Sequence, residues 1–380
     1  MKKIYLDNAA TTPLRVEVRD KMAACDLEAF GNASAVYADG RAARKALEQA
    51  RRIVAECLKV RAEEVYFTSG GSESDNWALK GIAFQHFKER GHLIVSSIEH
   101  PAIRNTCHFL AEIGFSVTEL PVDALGRVRP DDVRQAIRSD TRLISVMTAN
   151  NEVGTVEPIE EIGRIAREQG VPFHTDAVQA GGVLPLEDWS GVIDLLSLSA
   201  HKFHGPKGIG VLMIRNGTRI KPWLHGGEQE QGLRASTENV VGAVGLAEAL
   251  RLSIADRDQA VSKVKALRDR LIDQVLHNIP DVKLNGSRDD RLPGNAHFSF
   301  LGVRSSELIP RLDLEGLEAS AGSACTAGTY EPSYVLQAMQ VPPEWQEGRL
   351  RLTLSDRNTE DEVNQAAEIL SHTIHALRKS

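Results

Sequence analysis

Short apolar runs, each followed by a turn and then a helical pattern, repeat through the first two thirds of the chain. From Glu64 onward they are Val65 to Thr68, Leu93 to Ser96, Phe115 to Glu119, Leu143 to Thr148, Val171 to Thr175 and Val192 to Leu198, with a further run from Gly208 to Ile214. Runs so short and so continuously apolar predict buried strands, and their alternation with helical segments predicts a mainly parallel sheet covered on both faces. Ahead of them, residues 15 to 29 and 41 to 59 read as helices separated by the turn-rich Gly31-Asn32-Ala33-Ser34. Behind them, Val264, Leu267, Leu271 and Val275 make an apolar face at helical spacing. A last helix opens on a Thr359/Glu362 capping box and buries Val363, Ala366, Leu370, Ile374 and Leu377. At 380 residues the chain suits two domains. A large α/β domain is expected over residues 15–255, with a smaller α+β domain from residues 1–14 and 256–380 that carries the Cys325 loop. No repeat or low-complexity linker separates the two, so they are expected to pack together.

The strand ends carry the chemistry. Lys202, in Ser199-Ala-His-Lys-Phe-His-Gly-Pro-Lys-Gly208, falls just past the run from Val192, where open α/β sheets bind ligands. Its neighbours Ser199, His201 and His204 form a setting that can desolvate an amine and make it nucleophilic. That raises pyridoxal phosphate, which needs a Schiff-base lysine, an acid facing its ring nitrogen and a phosphate cradle. The turn Thr68-Ser-Gly-Gly-Ser-Glu-Ser74 reads as a cradle at a helix N-terminus, through Gly71 and Ser72, or as an ordinary turn. It lacks the Gly-Lys-Ser/Thr of a P-loop and the spacing of a dinucleotide fingerprint. His100, before Pro101, reads as structural or as a site residue on the same rim. Asp176, ending another run, reads as a helix cap or as the ring-nitrogen acid. Cys325 lies in a run of small residues, Ser320 to Thr329, with no periodicity, and reads as an incidental thiol or a mobile nucleophile.

Charge and cysteine usage narrow the partners. A net charge of −7 with no basic block argues against nucleic acid and anionic membranes as partners. Neither a signal peptide nor a spanning segment is present, and Cys25, Cys57, Cys107 and Cys325 lack paired spacing, so reduced thiols in the cytoplasm are expected. No metal site is expected, since His201 and His204 lack further ligands at metal-binding spacing.

These motifs resemble those of the cysteine desulfurases of the NifS/IscS type, pyridoxal-phosphate enzymes of the aspartate-aminotransferase fold in aminotransferase class V. The resemblance runs nearly end to end. It includes Tyr5-Leu-Asp-Asn-Ala-Ala-Thr-Thr-Pro13, Thr68-Ser-Gly-Gly-Ser-Glu-Ser-Asp-Asn76, Glu99-His-Pro101 and Asn150-Asn-Glu-Val-Gly-Thr155. It continues through His174-Thr-Asp-Ala-Val-Gln179, the Lys202 segment, the Cys325 loop with Glu331-Pro-Ser333, and Arg349-Leu-Arg351. The resemblance implies that Lys202 carries the cofactor, His100 stacks on its ring and moves protons, Asp176 pairs with the ring nitrogen, and Gln179 bonds the phenolic oxygen. Gly71, Ser72, Ser199 and His201 would hold the phosphate, joined by Thr237 from the neighbouring subunit of a homodimer. Asn151 would contact cofactor and substrate and, with Arg351, position the carboxylate of L-cysteine. Cys325, as thiolate, would take the substrate sulfur as a persulfide, release alanine, and pass sulfur to an acceptor protein. That acceptor would be an iron–sulfur scaffold or a tRNA-thiolation enzyme.

The chain departs from the family pattern at Ala33 and Tyr37, where proline and histidine are usual, at Ser72 for threonine, and at Ser236 for glycine. Ser72 keeps the hydroxyl. Selenocysteine cleavage or transamination could use the same lysine, aspartate and phosphate turn, and only the Cys325 loop favours desulfuration. A cofactor-binding platform without activity is a further alternative, against which Lys202, His100 and Cys325 all count.

Overall fold

In the computed structural model, residues 3–322 and 332–379 are described. The strands in chain order are β1 (Ile4–Tyr5), β2 (Val65–Thr68), β3 (His92–Ser96), β4 (Ser116–Leu120), β5 (Thr141–Ser145) and β6 (Phe173–Asp176). They continue as β7 (Leu195–Ser199), β8 (Gly210–Ile214), β9 (Val282–Asn285), β10 (Asn295–Phe300), β11 (Leu317–Glu318) and β12 (Arg349–Thr353). The main sheet has the order β2-β8-β7-β6-β5-β3-β4. From β4 to β7 the neighbours pair in parallel, while β8 pairs antiparallel with both β7 and β2. β8 alone runs against the rest because the connection from β7 contains a 3₁₀ turn, Ala200–Lys202, and no crossover helix.

Apart from the edge strand β4, both faces of this sheet are buried, which is why most of its strands read as apolar runs rather than alternating ones; the exception within is the buried polar cluster of Ser145, His174 and Ser197. Ile94, Ile144, Phe173, Leu196 and Val211 enter the core under helices Val16–Glu28, Ala38–Leu58, Ile159–Glu168 and Val240–Ala255. Their neighbours Leu93, Leu143, Leu195 and Leu212 enter the opposite core, with Trp77 and Ile103 of helices Gly71–Gln85 and Pro101–Glu112. Trp77 is fully buried, sets its ring edge-on to Tyr66 at 5.6 Å between centroids, and donates from Nε1 to Lys221 O at 3.0 Å.

Two boundaries differ from the sequence expectation. The second helix starts at Ala38 rather than after Gly40, because Gly40 is buried where a Cβ would meet Ala35 O at 2.3 Å. That glycine serves close packing inside the helix and does not break it. The run from Val192 begins with the 3₁₀ turn Ser190–Val192, so β7 starts at Leu195.

A second, antiparallel sheet of order β12-β10-β9 packs against helices Arg257–Asn278, Ser305–Leu314 and Glu360–Leu377. The Val264–Val275 face and the stripe from Val363 to Leu377 both enter its core, and the Thr359/Glu362 capping box is formed. Ile4 and Leu6 join that core while β1 pairs with β11. The chain then crosses to the main sheet, where Thr12 N–H donates to His201 O at 2.9 Å and Thr12 Oγ1 accepts from His204 N–H at 2.7 Å. The N-terminal segment thus ties the two sheets together beside Lys202.

Gly210 of β8 faces the turn that follows β2. A Cβ there would lie 2.6 Å from Leu198 O and 2.7 Å from Gly70 Cα, both backbone atoms. Gly210→Ala is therefore expected to cost about 1–3 kcal/mol of unfolding free energy, measured by urea denaturation. An unchanged midpoint would show that the turn yields freely.

Candidate active site

The carboxyl ends of β2, β3, β5, β6 and β7 converge on one cavity of about 290 Å³. Gly71, Ser72, His100, Asn151, Asp176, Gln179, Ser199, His201, Lys202 and Arg351 all line it. Arg351 arrives from β12 of the second sheet, and Ala9 and Ala10 from the N-terminal segment, so the cavity lies between the two sheets. Thr237 lines a different cavity of about 170 Å³, with Ser69, Glu230 and Arg234. Cys325 lies outside the described residues.

Lys202 ends the 3₁₀ turn after β7, and its Nζ donates to Ala9 O at 2.6 Å and Ala10 O at 2.8 Å. Gln179 Nε2 donates to the same Ala9 carbonyl at 3.0 Å. Asp176, the last residue of β6, is buried and accepts from Val178 N–H at 2.9 Å. Burial pushes its carboxyl up from the ordinary value of 3.8, against the opposing pull of His100, the Val178 N–H and Lys202. The expected helix cap is not found, because residues 178–183 form turns and the next helix begins at Leu186; the bond from Val178 closes a turn and occupies one carboxylate oxygen while the residue still faces the cavity. His100 caps helix Pro101–Glu112 by accepting from Ala102 N–H at 3.1 Å. Burial lowers its pKa from 6.5, Asp176 opposes that, and Lys202 adds to it, which favours neutral imidazole. His201 is driven to about 4, first by burial and then by Lys202 and Lys207. His204 turns away: its φ is +65°, its Nδ1 donates to Pro13 O at 2.9 Å, and its Nε2 lies 3.6 Å from Asp356.

These residues fit pyridoxal phosphate. Helix Gly71–Gln85 begins without a side-chain cap, leaving its first N–H groups to an anion, and a Cβ on Gly71 would collide with Val178 at 2.7 Å. That start stays open beside Ser72 and Ser199. Asn151 Oδ1 and Arg351 Nε, on residues lining the cavity, are buried without hydrogen-bond partners. Buried polar atoms are rarely left so, and a polar ligand would satisfy them. The donor set supplies an amine for an aldehyde, a carboxylate for a ring nitrogen and an N-terminal helix turn for a phosphate.

Sequence reasoning missed Asp75, Glu152 and Tyr334. Asp75 lies one turn beyond Gly71 on the same helix, and that i, i+4 spacing was the available signal. Burial and the nearby Asp176 push its carboxyl well up. Glu152 accepts from Ser333 Oγ at 2.7 Å, and Tyr334 donates to Glu99 O at 2.9 Å. Neither contact leaves a local pattern, because each joins segments far apart in the chain.

The family model described as aminotransferase class V matches residues 4–366. The chain is 48% identical to the cysteine desulfurase IscS of Dictyoglomus turgidum over 377 residues, 99% of this chain and 96% of that protein. It is also 48% identical to the cysteine desulfurase IscS of Methanosarcina thermophila, covering 99% of this chain and 93% of the relative. Among solved structures, a NifS-like protein superposes with a TM-score of 0.92 at 35% identity, covering 98% of this chain and all (100%) of that one. SspA in complex with cysteine superposes at 0.82 and 37% identity, over 94% of this chain and 100% of that one.

Glu99 lies behind the cavity, next to His100 in the chain and bonded to Met147, both of which line it. It is fully buried, accepts from Ser96 Oγ and Met147 N–H through Oε1, and leaves Oε2 unpartnered. Burial pushes its carboxyl from 4.5 to about 8, despite those two bonds. A carboxyl raised on folding binds its proton more tightly in the native state. Its stabilising effect is complete below the ordinary value and is lost as pH rises through about 8. Relative to Glu99→Gln, the wild type is expected to lose on the order of 1–3 kcal/mol between about pH 5 and 9 in chemical denaturation. Parallel pH profiles for the two proteins would refute the neutral assignment.

Proposed function

The chain belongs to the cysteine desulfurases of aminotransferase class V, and from that premise we propose that its Lys202 cavity converts L-cysteine to L-alanine, with Cys325 receiving the sulfur. The enzyme is pyridoxal-phosphate dependent. The observation that carries the residue assignment is the convergence of Lys202, Asp176, His100 and Arg351 on one cavity. In this reading Lys202 holds the cofactor through its aldehyde, Asp176 its ring nitrogen and Gln179 its phenolic oxygen. Gly71, Ser72, Ser199 and His201 hold the phosphate. Once bound, the cofactor supplies an electron sink at the substrate Cα.

The protein's own groups do the rest. Arg351 and Asn151 grip the substrate carboxylate, which fixes the Cα–H bond toward Lys202. Lys202 takes the proton from Cα and returns one there before alanine leaves. His100, as neutral imidazole, accepts or returns a proton at the substrate. The Cys325 thiolate forms a bond to the substrate sulfur as the carbon–sulfur bond breaks. The electron pair of that bond goes to carbon, which is protonated, so cysteine and a thiol become alanine and a persulfide. Thiolate is the nucleophilic form, so Cys325 needs a proton acceptor when it attacks.

We read residues 15–255 as the large domain, and residues 1–14 with 256–380 as the small domain. A homodimer is supported by Val16, Leu27, Phe30, Val36 and Tyr37, large apolar side chains exposed within one N-terminal stretch. It is supported too by Thr237, which lines its own cavity and suits service to a neighbouring subunit. A sulfur-acceptor protein for iron–sulfur clusters or tRNA thiolation completes the reaction. Among the described residues no helix is long and apolar enough to cross a membrane, and Cys25, Cys57 and Cys107 are free thiols, which suits the cytoplasm.

With pyridoxal phosphate, L-cysteine and a reducing thiol, the protein is expected to release alanine and sulfide in equal amounts. Cys325→Ala should keep the cofactor absorbance and lose sulfide release by about 100-fold or more, and Lys202→Ala should lose both products. A wild type that binds the cofactor and makes neither product overturns this reading.

A further inference from the structure

Arg351 is 2% exposed, and its hydrogen bonds account for most of its donors. Nη1 donates to Asn151 O at 2.8 Å and Gly322 O at 2.6 Å, using both of its hydrogens. Nη2 donates to Asp7 Oδ1 at 2.8 Å, and Nε is buried without a partner. A guanidinium carries five N–H groups, so Nε–H and one Nη2–H remain for a ligand. Among the described residues, Asp7 is the only carboxylate within ion-pair distance of this arginine.

Asp7 is held there by backbone. It forms a bridge with Thr353, two residues beyond Arg351 on β12, and residues two apart on a strand share a face. Its carbonyl accepts from Tyr5 Oη at 2.9 Å and from Ala10 N–H at 3.0 Å, and Asn8 N–H donates to Thr353 O at 3.2 Å. The carboxylate is therefore set beside Arg351 by strand register, whether or not a ligand is bound.

We infer that Asp7 is a positioning residue that also limits how tightly the site holds an α-carboxylate: it orients Arg351 through Nη2 and repels the anion that takes the remaining donors. The inference rests on the reading of Arg351 as the carboxylate anchor. Substrate and product carry the same carboxylate, so a counterion that loosens the grip on cysteine loosens it equally on alanine and keeps the product from being held too tightly. With Asp7 alongside, an entering carboxylate meets an arginine whose charge is already balanced. Two like charges a few ångströms apart in a partly desolvated site oppose each other strongly enough to matter. A purely structural counterion would make a different prediction, since its removal would destabilise the protein without tightening any ligand.

Asp7→Asn keeps an acceptor for Nη2 and removes the charge. By calorimetry on the cofactor-loaded enzyme, D7N is expected to bind L-alanine about three- to thirtyfold more tightly than wild type, with a matching fall in KM for L-cysteine. Affinity for ethylamine, which lacks the carboxylate, should stay the same. D7N binding alanine no more tightly overturns the inference, as does equal tightening of alanine and ethylamine. Arg351→Gln separates the two ideas: it should weaken alanine at least about tenfold. If it does not, the reading of Arg351 fails and the inference falls with it. If it does and D7N has no effect, only the role of Asp7 fails. Should D7N not fold, Asp7→Ser removes the same charge and is read in the same way.

Discussion

Charge held out of water around one cavity is the constraint on which the site and the packing of the two sheets both depend. A buried ion is costly unless a partner or a protonation change compensates it. Each group around Lys202 meets that demand differently. The lysine amine has two backbone carbonyls, Arg351 has a carboxylate and two carbonyls, and Asp176 has a backbone N–H. Glu99 has two donors on one oxygen only, and burial drives it toward its neutral form. Few of these partners belong to the same element as the group they serve.

That requirement explains the path of the N-terminal segment. Residues 4 to 13 leave the core of the small sheet, bring Asp7 to Arg351, and present the Ala9 and Ala10 carbonyls to Lys202. They then reach the loop after β7 through Thr12. A short stretch without long secondary structure thereby supplies counterions and acceptors to both sides of the cavity. Several of its polar groups, among them Asp7, Asn8 and Thr12, find partners on one sheet or the other. Packing between the sheets and the electrostatics of the site are consequently one arrangement rather than two.

The parallel sheet puts the remaining groups on one rim. Strands running the same way deliver their carboxyl ends to one edge, where following turns can carry polar groups without breaking the ladder. β8 departs from that direction, and its glycine at 210 lets the Gly70-Gly71 turn after β2 come close. The reversed strand thus brings the Gly70-Gly71 turn and Ser199 to the same end of the cavity.

Much of this was readable along the chain. The apolar runs marked the strands of the main sheet because a strand buried on both faces has no polar side to interrupt it. The helical stripe at Val264 to Val275 and the Thr359 capping box were likewise local patterns with local causes. The motifs after each strand singled out Lys202, Asp176, His100 and the Gly71 turn, since residue type and strand ends are both local properties. The start of the second helix was placed three residues late, because a buried glycine such as Gly40, which lets Ala35 pack against the helix, has no periodic side chain to mark it as helical. Only the tertiary structure decided which groups meet. That Asp7 pairs with Arg351, that Ala9 and Ala10 hold Lys202, and that Glu152 reaches Ser333 all depend on segments brought together by packing. Hydrogen bonding and burial act on distance in space, and residues separated by hundreds of positions leave no periodicity by which to predict their contact.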